Sequence, residues 1–281
     1  MRFQSAPEFP APAGWGMSES QHADSNALLA RIPHLMSRRG RDGTDSFWIE
    51  GVRNFLHAHA FHASFRSVIV SEVLLRNAVA RKLVRQLGAA GVPVARVSPE
   101  RFRTVSTAAH ASGVGAILRQ RWTPIAMARA DGLCWLVVER IASPGNLGTI
   151  VRTAEAVGAR GVFFVGPQAD PYHPAVIRGS MGGLFSLDYV RTTVAGLASW
   201  SRQHNVRLVG LSPEAETLWT EGPIDRPVAL VIGEERRGLS TALRRLCETC
   251  VRLPMTGSAD SLNVGVATGV MLYELVRRRG T

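Results

Sequence analysis

Residues 143–159, SPGNLGTIVRTAEAVGA, contain the first side chains whose types and spacing could do chemistry. Asn146 lies in a loop with two glycines, and Arg152 follows six residues later among apolar residues at helical spacing. This pattern predicts that Arg152 lies one turn into a helix, near the place where the helix meets its sheet. Its guanidinium stays protonated near neutral pH and offers a fork of N–H donors. Asn146 and Arg152 are therefore candidate functional residues.

Two more polar segments follow apolar runs that are typical of strands. Residues 232–240, IGEERRGLS, come after VALV, and residues 253–269, LPMTGSADSLNVGVATG, come after CVR. In open α/β sheets, ligands bind beyond the carboxyl ends of the strands. Three such glycine- and asparagine-containing loops therefore predict one shared pocket. Fingerprints for dinucleotides (GxGxxG after a strand) and triphosphates (GxxxxGK[ST]) are missing, as are HExxH, GxSxG and a carboxylate pair.

The charge of the chain points to a polyanionic partner. The formal net charge is +11, and Lys82 is the single lysine among 33 basic residues. The positive electrostatic potential of so basic a chain favours nucleic acid as its partner ahead of an acidic membrane surface. The length of 281 residues allows two domains or one large one, and 46% hydrophobic with 20% charged residues is typical of a soluble globular protein.

Neither a membrane span nor a secretion signal is predicted. No apolar run approaches the roughly 18 residues that a span requires. The opening segment MRFQSAPEFPAPAGWGM of residues 1–24 has Pro and Gly where a signal peptide has an apolar core. We expect these residues to form a flexible tail, with Met17 as an alternative start. Cys247 and Cys250 form a CxxC without a second pair, so we expect packing rather than a metal site and a cytoplasmic location.

The sequence divides into two parts with different patterns. Residues 25–120 mix short apolar runs with helical stretches and predict a compact α/β domain, and residues 121–130 predict a linker. Within residues 131–281, short and continuously apolar runs alternate with helical segments: LCWLVVE, GVFFVG, VRLVGLS, VALVIG and CVRLP. This alternation is typical of a parallel sheet covered by helices on both faces.

The three loop segments resemble the signature of the SpoU (TrmH-type) RNA 2'-O-ribose methyltransferases, within the SPOUT class. The resemblance rests on NLGTIVRTAEAVGA, LVIGEERRGLS and LPMTGSADSLNVGVATGVMLYE, with IRGSMGGLFSL between the first two. It covers about residues 131–279. Residues 25–120 resemble, through IEG, VIVSE and GVGAIL, the small ribosomal-protein-like RNA-binding domain that precedes the catalytic domain in many members.

The resemblance implies an α/β fold with a parallel sheet and a deep trefoil knot, an exception to the unknotted topology of most chains. It also implies S-adenosylmethionine as the cofactor and a homodimer with its active site at the subunit interface. The residues that it assigns to cofactor binding, with Leu211 as the weakest candidate, are Gly233, Leu253, Leu262, Ile232, Met255 and Leu211.

By the same resemblance, Asn146 and Arg152 face the RNA, and Glu235 orients one of them or the dimer partner. Ser261 and Asn263 supply hydrogen bonds to the ribose or to Arg152. Arg152 either activates the hydroxyl or clamps the adjacent phosphate. Simpler interpretations stay open. In these, Arg152 is paired with a carboxylate of its own helix or of a loop, Asn146 only shapes a turn, and Ser261 only caps a helix.

Further arginines are candidates for phosphate contacts. The segment MSRRGRDG is typical of a solvated loop, but beside an RNA-binding domain it is also a candidate RNA contact. The arginines predicted to contact RNA are Arg38, Arg39, Arg41, Arg53, Arg178, Arg236 and Arg237. The histidines His57, His59 and His62 cluster at one helix end and are expected to be structural rather than metal ligands.

The sequence therefore predicts an S-adenosylmethionine-dependent enzyme that methylates a ribose 2'-hydroxyl, with 23S ribosomal RNA as the favoured substrate. Transfer RNA is the alternative substrate. A non-catalytic RNA-binding or ribosome-assembly protein of the same fold is the alternative function. The expected partners are structured RNA and a second copy of the chain, with no metal and no membrane.

Overall fold

A computed structural model describes residues 19–279, except residue 168, residues 224–226 and residue 259. Most of the predicted tail, with Met17, lies outside the described residues. Its last six residues are helical rather than flexible, because helix α1 begins at Glu19. The helix is anchored further along by Leu29, Ile32 and Leu35, which are buried against the first sheet. Once such a turn is fixed, each further residue adds a backbone hydrogen bond at little cost.

The N-terminal unit, from α1 to β4, is a small α/β layer structure. Its sheet has the order β1-β4-β2-β3, in which β4 is antiparallel to both neighbours and β2 and β3 are parallel. The mixture of strands and helices is the one expected from the short apolar runs and helical stretches of residues 25–120. The strands are β1 (Ser46–Glu50), β2 (Phe65–Val70), β3 (Val94–Arg96) and β4 (Val114–Arg119). The helices are α1 (Glu19–Leu35), α2 (Arg38–Thr44), α3 (Val52–Ala60), α4 (Ala78–Ala89) and α5 (Pro99–Val105).

Helix α2 corrects the expectation of a solvated loop in MSRRGRDG. Ser37 caps this helix, since its hydroxyl accepts a hydrogen bond from the Gly40 amide at 3.0 Å. Gly40 is buried against α1, where a Cβ would overlap the carbonyl group of His34. The short helix therefore packs closely, and one of its arginines becomes buried.

The C-terminal unit, from β5 to α10, contains a seven-stranded sheet whose order is β7-β6-β5-β10-β8-β11-β9. Every pairing between these strands is parallel, as predicted. The strands are β5 (Trp135–Val138), β6 (Gly161–Val165), β7 (Asp188–Thr192), β8 (Arg207–Leu211), β9 (Thr217–Leu218), β10 (Val228–Ile232) and β11 (Thr249–Arg252). The helices are α6 (Pro144–Ala156), α7 (Pro174–Ser180), α8 (Val194–Gln203), α9 (Thr241–Leu246) and α10 (Val264–Arg279). The sequence did not predict β7 and β9, which lie at the two edges and carry polar residues.

Helices cover both faces of this sheet. Alternate residues of β5 point to opposite sides: Leu136 and Val138 join the core under α6, α7 and α10, whereas Trp135 and Val137 join the core under α8 and α9. The central strands are therefore buried on both faces, which explains their continuously apolar sequences. No described helix has the length and apolar character to cross a membrane.

Strand order brings the three polar loops together. β5, β10, β8 and β11 are consecutive neighbours in the parallel sheet, so their carboxyl ends lie along one edge. The Asn146 segment follows β5, residues 233–240 follow β10, and residues 253–263 follow β11. The fold thus places all three at the edge where open α/β sheets bind ligands.

Truncation of Val137 tests the doubly covered sheet. Val137 is fully buried in β5, so Val137→Ala should lower the free energy of unfolding by about 2 kcal/mol through lost burial and a residual cavity. The matched control Val79→Ala, at a position in α4 that is 62% exposed, should change it by less than about 0.5 kcal/mol. Urea unfolding followed by circular dichroism measures both. Equal losses would contradict the two-sided burial of β5.

Candidate functional site

Asn146 lies in the first turn of α6 and not in the loop that the sequence predicted, because the helix already begins at Pro144. Hydrogen bonds between side chains connect Asn146 to the two other polar segments. The Asn146 amide donates from Nδ2 to Oε1 of Glu235 at 2.8 Å. The Asn263 amide donates from Nδ2 to Oδ1 of Asn146 at 3.0 Å. Asn146 is therefore held from both sides, by the loop after β10 and by the loop before α10. We call these three residues the Glu235–Asn146–Asn263 relay.

Glu235 is fixed as a carboxylate at one end of the relay. Its second oxygen, Oε2, accepts a hydrogen bond from the Ala142 amide at 3.1 Å. Partial burial raises the pKa of Glu235, but hydrogen bonds from Asn146 and from the backbone amides of Ala142 and Ser143 outweigh burial and leave the pKa below its usual value. Glu235 is therefore ionised near neutral pH and can orient the Asn146 amide.

Asn263 joins the other end of the relay to α10. Its Oδ1 accepts hydrogen bonds from the Gly265 amide at 2.9 Å and from the Val266 amide at 3.3 Å. These contacts cap the helix in the way that asparagine favours. The capping role considered for Ser261 thus belongs to Asn263, and Ser261 is exposed two residues earlier.

Arg152 occupies the exposed side of α6, which corrects the prediction that it lies where the helix meets the sheet. The buried side of this helix consists of other residues, among them Ile150, Val151 and Ala154. Within the part of the chain that the structure describes, the Arg152 guanidinium forms no ion pair or hydrogen bond. The interpretation of Arg152 as one half of an internal ion pair is therefore wrong, and its donors are available to a ligand.

A cleft opens beside the relay, beyond the ends of β8, β10 and β11. It has about 940 Å³ of empty volume, including its open side, and all six residues assigned to cofactor binding line it: Leu211, Ile232, Gly233, Leu253, Met255 and Leu262. Glu235 and Ser261 also line it, so the cleft and the relay share a boundary.

The turn after β10 shapes the cleft with backbone atoms. Glu234 and Gly238 exchange two backbone hydrogen bonds of 3.0 and 2.8 Å, and Gly238 adopts φ +65°. A Cβ at Gly233 would overlap the backbone of Gly238. A glycine is thus required at position 233 so that the two sides of the turn can approach each other.

Sequence reasoning missed part of the cleft wall. Ser212, Pro213 and Glu214, which follow β8, line it together with Leu239 and Arg244. The signal was the position of LSPE immediately after a predicted buried strand, at the same edge as the other loops. This segment has no glycine or asparagine, so its composition did not mark it.

The arginines predicted to contact RNA lie in different environments. Arg39, Arg53, Arg178, Arg236 and Arg237 are exposed, and the last two line the cleft. Arg38, which is half-buried, contacts the carbonyl oxygen of Pro167 and Asp42.

Arg41 is not available to RNA, so its prediction as an RNA contact is wrong. It is 1% exposed, and its guanidinium donates to carbonyl oxygens at the end of α1 and to the carboxylate of Asp170. Its burial follows from the close packing of α2 on α1.

The cysteines and histidines form no cluster suited to a metal ion in the described ranges. Cys250 and Cys247 pack around Gly210 of β8, whose Cβ position lies 2.8 and 3.1 Å from the two sulfur atoms. Burial raises the pKa of Cys247 to about 12, so its thiol stays protonated and unreactive near neutral pH. His57 contacts Gly182, where a Cβ would lie 2.7 Å from Nδ1.

Comparisons with known proteins agree with this geometry. Residues 134–273 match the profile of the SpoU rRNA Methylase family. A 23S rRNA (uridine(2479)-2'-O)-methyltransferase from Streptomyces viridochromogenes is 40% identical over 150 residues, which are 51% of this chain and 52% of that protein. The chain thus aligns with about half the length of that relative.

Two further matches extend over most of the chain. The 23S rRNA (guanosine-2'-O-)-methyltransferase RlmB of Coxiella burnetii is 30% identical over 214 residues, covering 71% of this chain and 82% of that enzyme. The crystal structure of an AdoMet-bound rRNA methyltransferase from Sinorhizobium meliloti superposes with a TM-score of 0.83 at 28% identity, covering 92% of this chain and 97% of that one. This chain, with its parallel α/β sheet and three joined loops, belongs to the SpoU rRNA methylase family.

Proposed function

We propose that the protein transfers a methyl group from S-adenosylmethionine to a ribose 2'-hydroxyl of 23S ribosomal RNA. The observation that carries this proposal is the relay, which fixes Asn146 beside a cleft lined by every residue assigned to the cofactor. The names of the relatives from Streptomyces viridochromogenes and Coxiella burnetii support 23S rRNA as the substrate. Ribosomal RNA as substrate also favours a cytoplasmic location.

The cleft fits the cofactor in shape and chemistry. Leu211, Leu253 and Leu262 supply apolar walls, and the turn at Gly233 presents backbone amides and carbonyls that can bind an adenine edge. Glu214 and Glu234 also line the cleft, and each is paired with an arginine: Glu214 with Arg244 at 2.9 Å and Glu234 with Arg140 at 3.4 Å. When bound, S-adenosylmethionine supplies an electrophilic methyl group on a sulfonium.

Arg152 would hold the RNA phosphate next to the reacting ribose. Its exposed guanidinium has no internal partner within the described part of the chain, so binding a phosphate breaks no existing contact. A bidentate contact would orient the 2'-hydroxyl and, through its positive charge, favour loss of the hydroxyl proton. Asn146, held by Glu235, and Ser261 with Asn263 would hydrogen-bond the ribose.

We also propose a homodimer formed through α6 and α10. Val266 and Tyr273, on α10, are 53% and 59% exposed, and they lie beside Gly265, Gly269 and residues of α6 in one shallow surface. Small residues next to exposed apolar ones allow two helices to approach closely. This surface adjoins Asn263, so a partner subunit seated there would border the active site.

The passage from β11 to α10 supports a trefoil knot. Leu253, Met255, Ser261 and Leu262, which lie between β11 and α10, line the cleft, and α10 packs against α6. We propose that the segment between β11 and α10 threads through the loop after β10. Residues 25–120 would form the RNA-binding domain, residues 121–130 the linker, and residues 131–281 the methyltransferase domain.

Labelled methyl transfer to separated RNA pools tests the proposed function. The protein, labelled S-adenosylmethionine and unmodified large-subunit, small-subunit or transfer RNA are incubated, and the product is mapped by its resistance to alkaline cleavage. One alkali-resistant site in large-subunit RNA is expected. Label in transfer RNA would move the activity to that substrate, and no label in any pool or in precursor ribosomal subunits, with intact cofactor binding, would favour the non-catalytic alternative.

Arg152→Ala should lower the rate of methyl transfer by roughly 100-fold or more, because the phosphate contact and hydroxyl activation are lost together. S-adenosylmethionine affinity, measured by calorimetry, should stay within about twofold, a small change in free energy. Arg152→Lys should restore little activity because an ammonium cannot make the bidentate contact. Arg202→Ala, an exposed position on α8 on the opposite face of the sheet, is the matched control. A full-rate Arg152→Ala enzyme would refute the assignment.

Gly233→Ala tests the cofactor cleft. The added methyl group would force the turn after β10 open, so S-adenosylmethionine affinity should fall by about tenfold or more, equivalent to about 1.4 kcal/mol. Gly43→Ala is the control, because a Cβ at Gly43 meets no atom within 4 Å. Calorimetric titration measures both, and thermal melting confirms folding. Unchanged affinity in Gly233→Ala would move the cofactor away from this turn.

A further inference from the structure

Arg41 connects the N-terminal unit to the C-terminal unit at a buried point. Its guanidinium donates to the carbonyl oxygens of Leu35 and Met36 at 2.8 Å each and to Oδ2 of Asp170 at 2.5 Å. The side chains of Arg41 and Asp170 are 2% and 15% exposed. A cation from α2 is thus paired with a carboxylate that lies between β6 and α7.

The rest of α2 reinforces this contact. Asp42 accepts a hydrogen bond from Arg191 of β7 at 2.9 Å, and the guanidinium of Arg191 lies 3.8 Å from the ring centre of Trp122. Arg38 donates to the carbonyl oxygen of Pro167. One helix of seven residues therefore contacts the C-terminal unit through three polar side chains.

An apolar contact lies beside this helix. Phe47 of β1 packs against Tyr172 with ring centres 4.5 Å apart. Burial of apolar surface holds the units together but is non-directional, so it does not by itself fix their relative angle. A buried ion pair with short hydrogen bonds has strict geometry and is better suited to set an orientation.

The relative orientation of the two units also determines what lies near Arg152. His57 of α3 contacts Gly182, and the next residue, Gly183, has its Cβ position 3.6 Å from Cα of Arg152. Arg53 precedes His57 by four residues, about one turn of the same helix. The separation of Arg53 from Arg152 is thus determined by how the two units meet.

We propose that Arg41, paired with Asp170, is a positioning residue that sets the register of the RNA on the enzyme. It does not contact RNA. It holds the N-terminal unit at the angle that presents one nucleotide to Arg152 while the exposed arginines of the N-terminal unit bind phosphates elsewhere on the same RNA. This proposal rests on the proposed function.

The test compares four variants of the full-length protein, of which Arg41→Lys keeps the positive charge. Arg41→Met removes one partner, Arg41→Met/Asp170→Leu removes both, and Arg39→Met removes an exposed arginine of the same helix. The double variant should stay folded, because replacing a buried ion pair by apolar residues is often neutral for stability. The measurements are hydrogen exchange of residues 120–123 at the junction, the salt dependence of RNA binding, and the rate and position of methylation.

For the double variant, we expect faster exchange at the junction and methyl transfer slowed on the order of 100-fold, because small misplacements are costly in catalysis. Methylation should also spread to neighbouring nucleotides, while the slope of log affinity against log salt stays unchanged. For Arg39→Met, that slope should decrease by about 0.7–0.9, the value for one phosphate contact. Arg41→Lys should partly restore the position of methylation.

Two results would overturn the proposal. A decreased salt slope in the double variant would make Arg41 an RNA contact. If hydrogen exchange at the junction, the rate of methyl transfer and the methylated position are all unchanged in the double variant, the ion pair does not set the register of the RNA. If the wild-type protein methylates no RNA, the proposed function fails, while the exchange measurement still decides whether the ion pair fixes the two units.

Discussion

The hydrogen bonds between Glu235, Asn146 and Asn263 are the interaction on which the site depends. A parallel sheet brings loop ends to one edge, but it does not fix the loops relative to each other. The relay does so with two side-chain hydrogen bonds, and Asn263 extends it to the first amides of α10. A change in the position of any one of these residues therefore also shifts the other two and the wall of the neighbouring cleft.

The charge that the site presents to a ligand depends on which of its charged side chains already have partners within the protein. Glu235 is satisfied by an amide side chain and by the Ala142 amide, so its negative charge is committed to holding the loops. Arg152 has no such partner in the described structure, so its positive charge faces outward. The site thus combines a carboxylate whose oxygens already accept hydrogen bonds with a cation that is available to a ligand, and the available cation suits a polyanionic substrate.

The features that could be predicted from the sequence are those that the residues of one short segment determine by themselves. Continuous apolar runs identified the inner strands of the parallel sheet, and the resemblance of the loop segments to the SpoU signature assigned Gly233 and Leu253 to the cleft, because both signals are contained in short segments. Arg41 was misassigned because its burial depends on a carboxylate 129 residues away. β7 was missed because an edge strand needs fewer apolar residues, and the outward direction of Arg152 depends on how α6 rotates on its sheet.

The largest apolar cluster includes residues from both sheets, with Phe47, Val68 and Leu136 among its members. A shared core of this kind couples the folding of the two units, although each unit also has an apolar cluster of its own. The N-terminal unit could not then be exchanged between related proteins without a matching change in the shared core. New substrate preferences would have to arise through substitutions that preserve the shared apolar core between the two sheets. The two units would therefore evolve together.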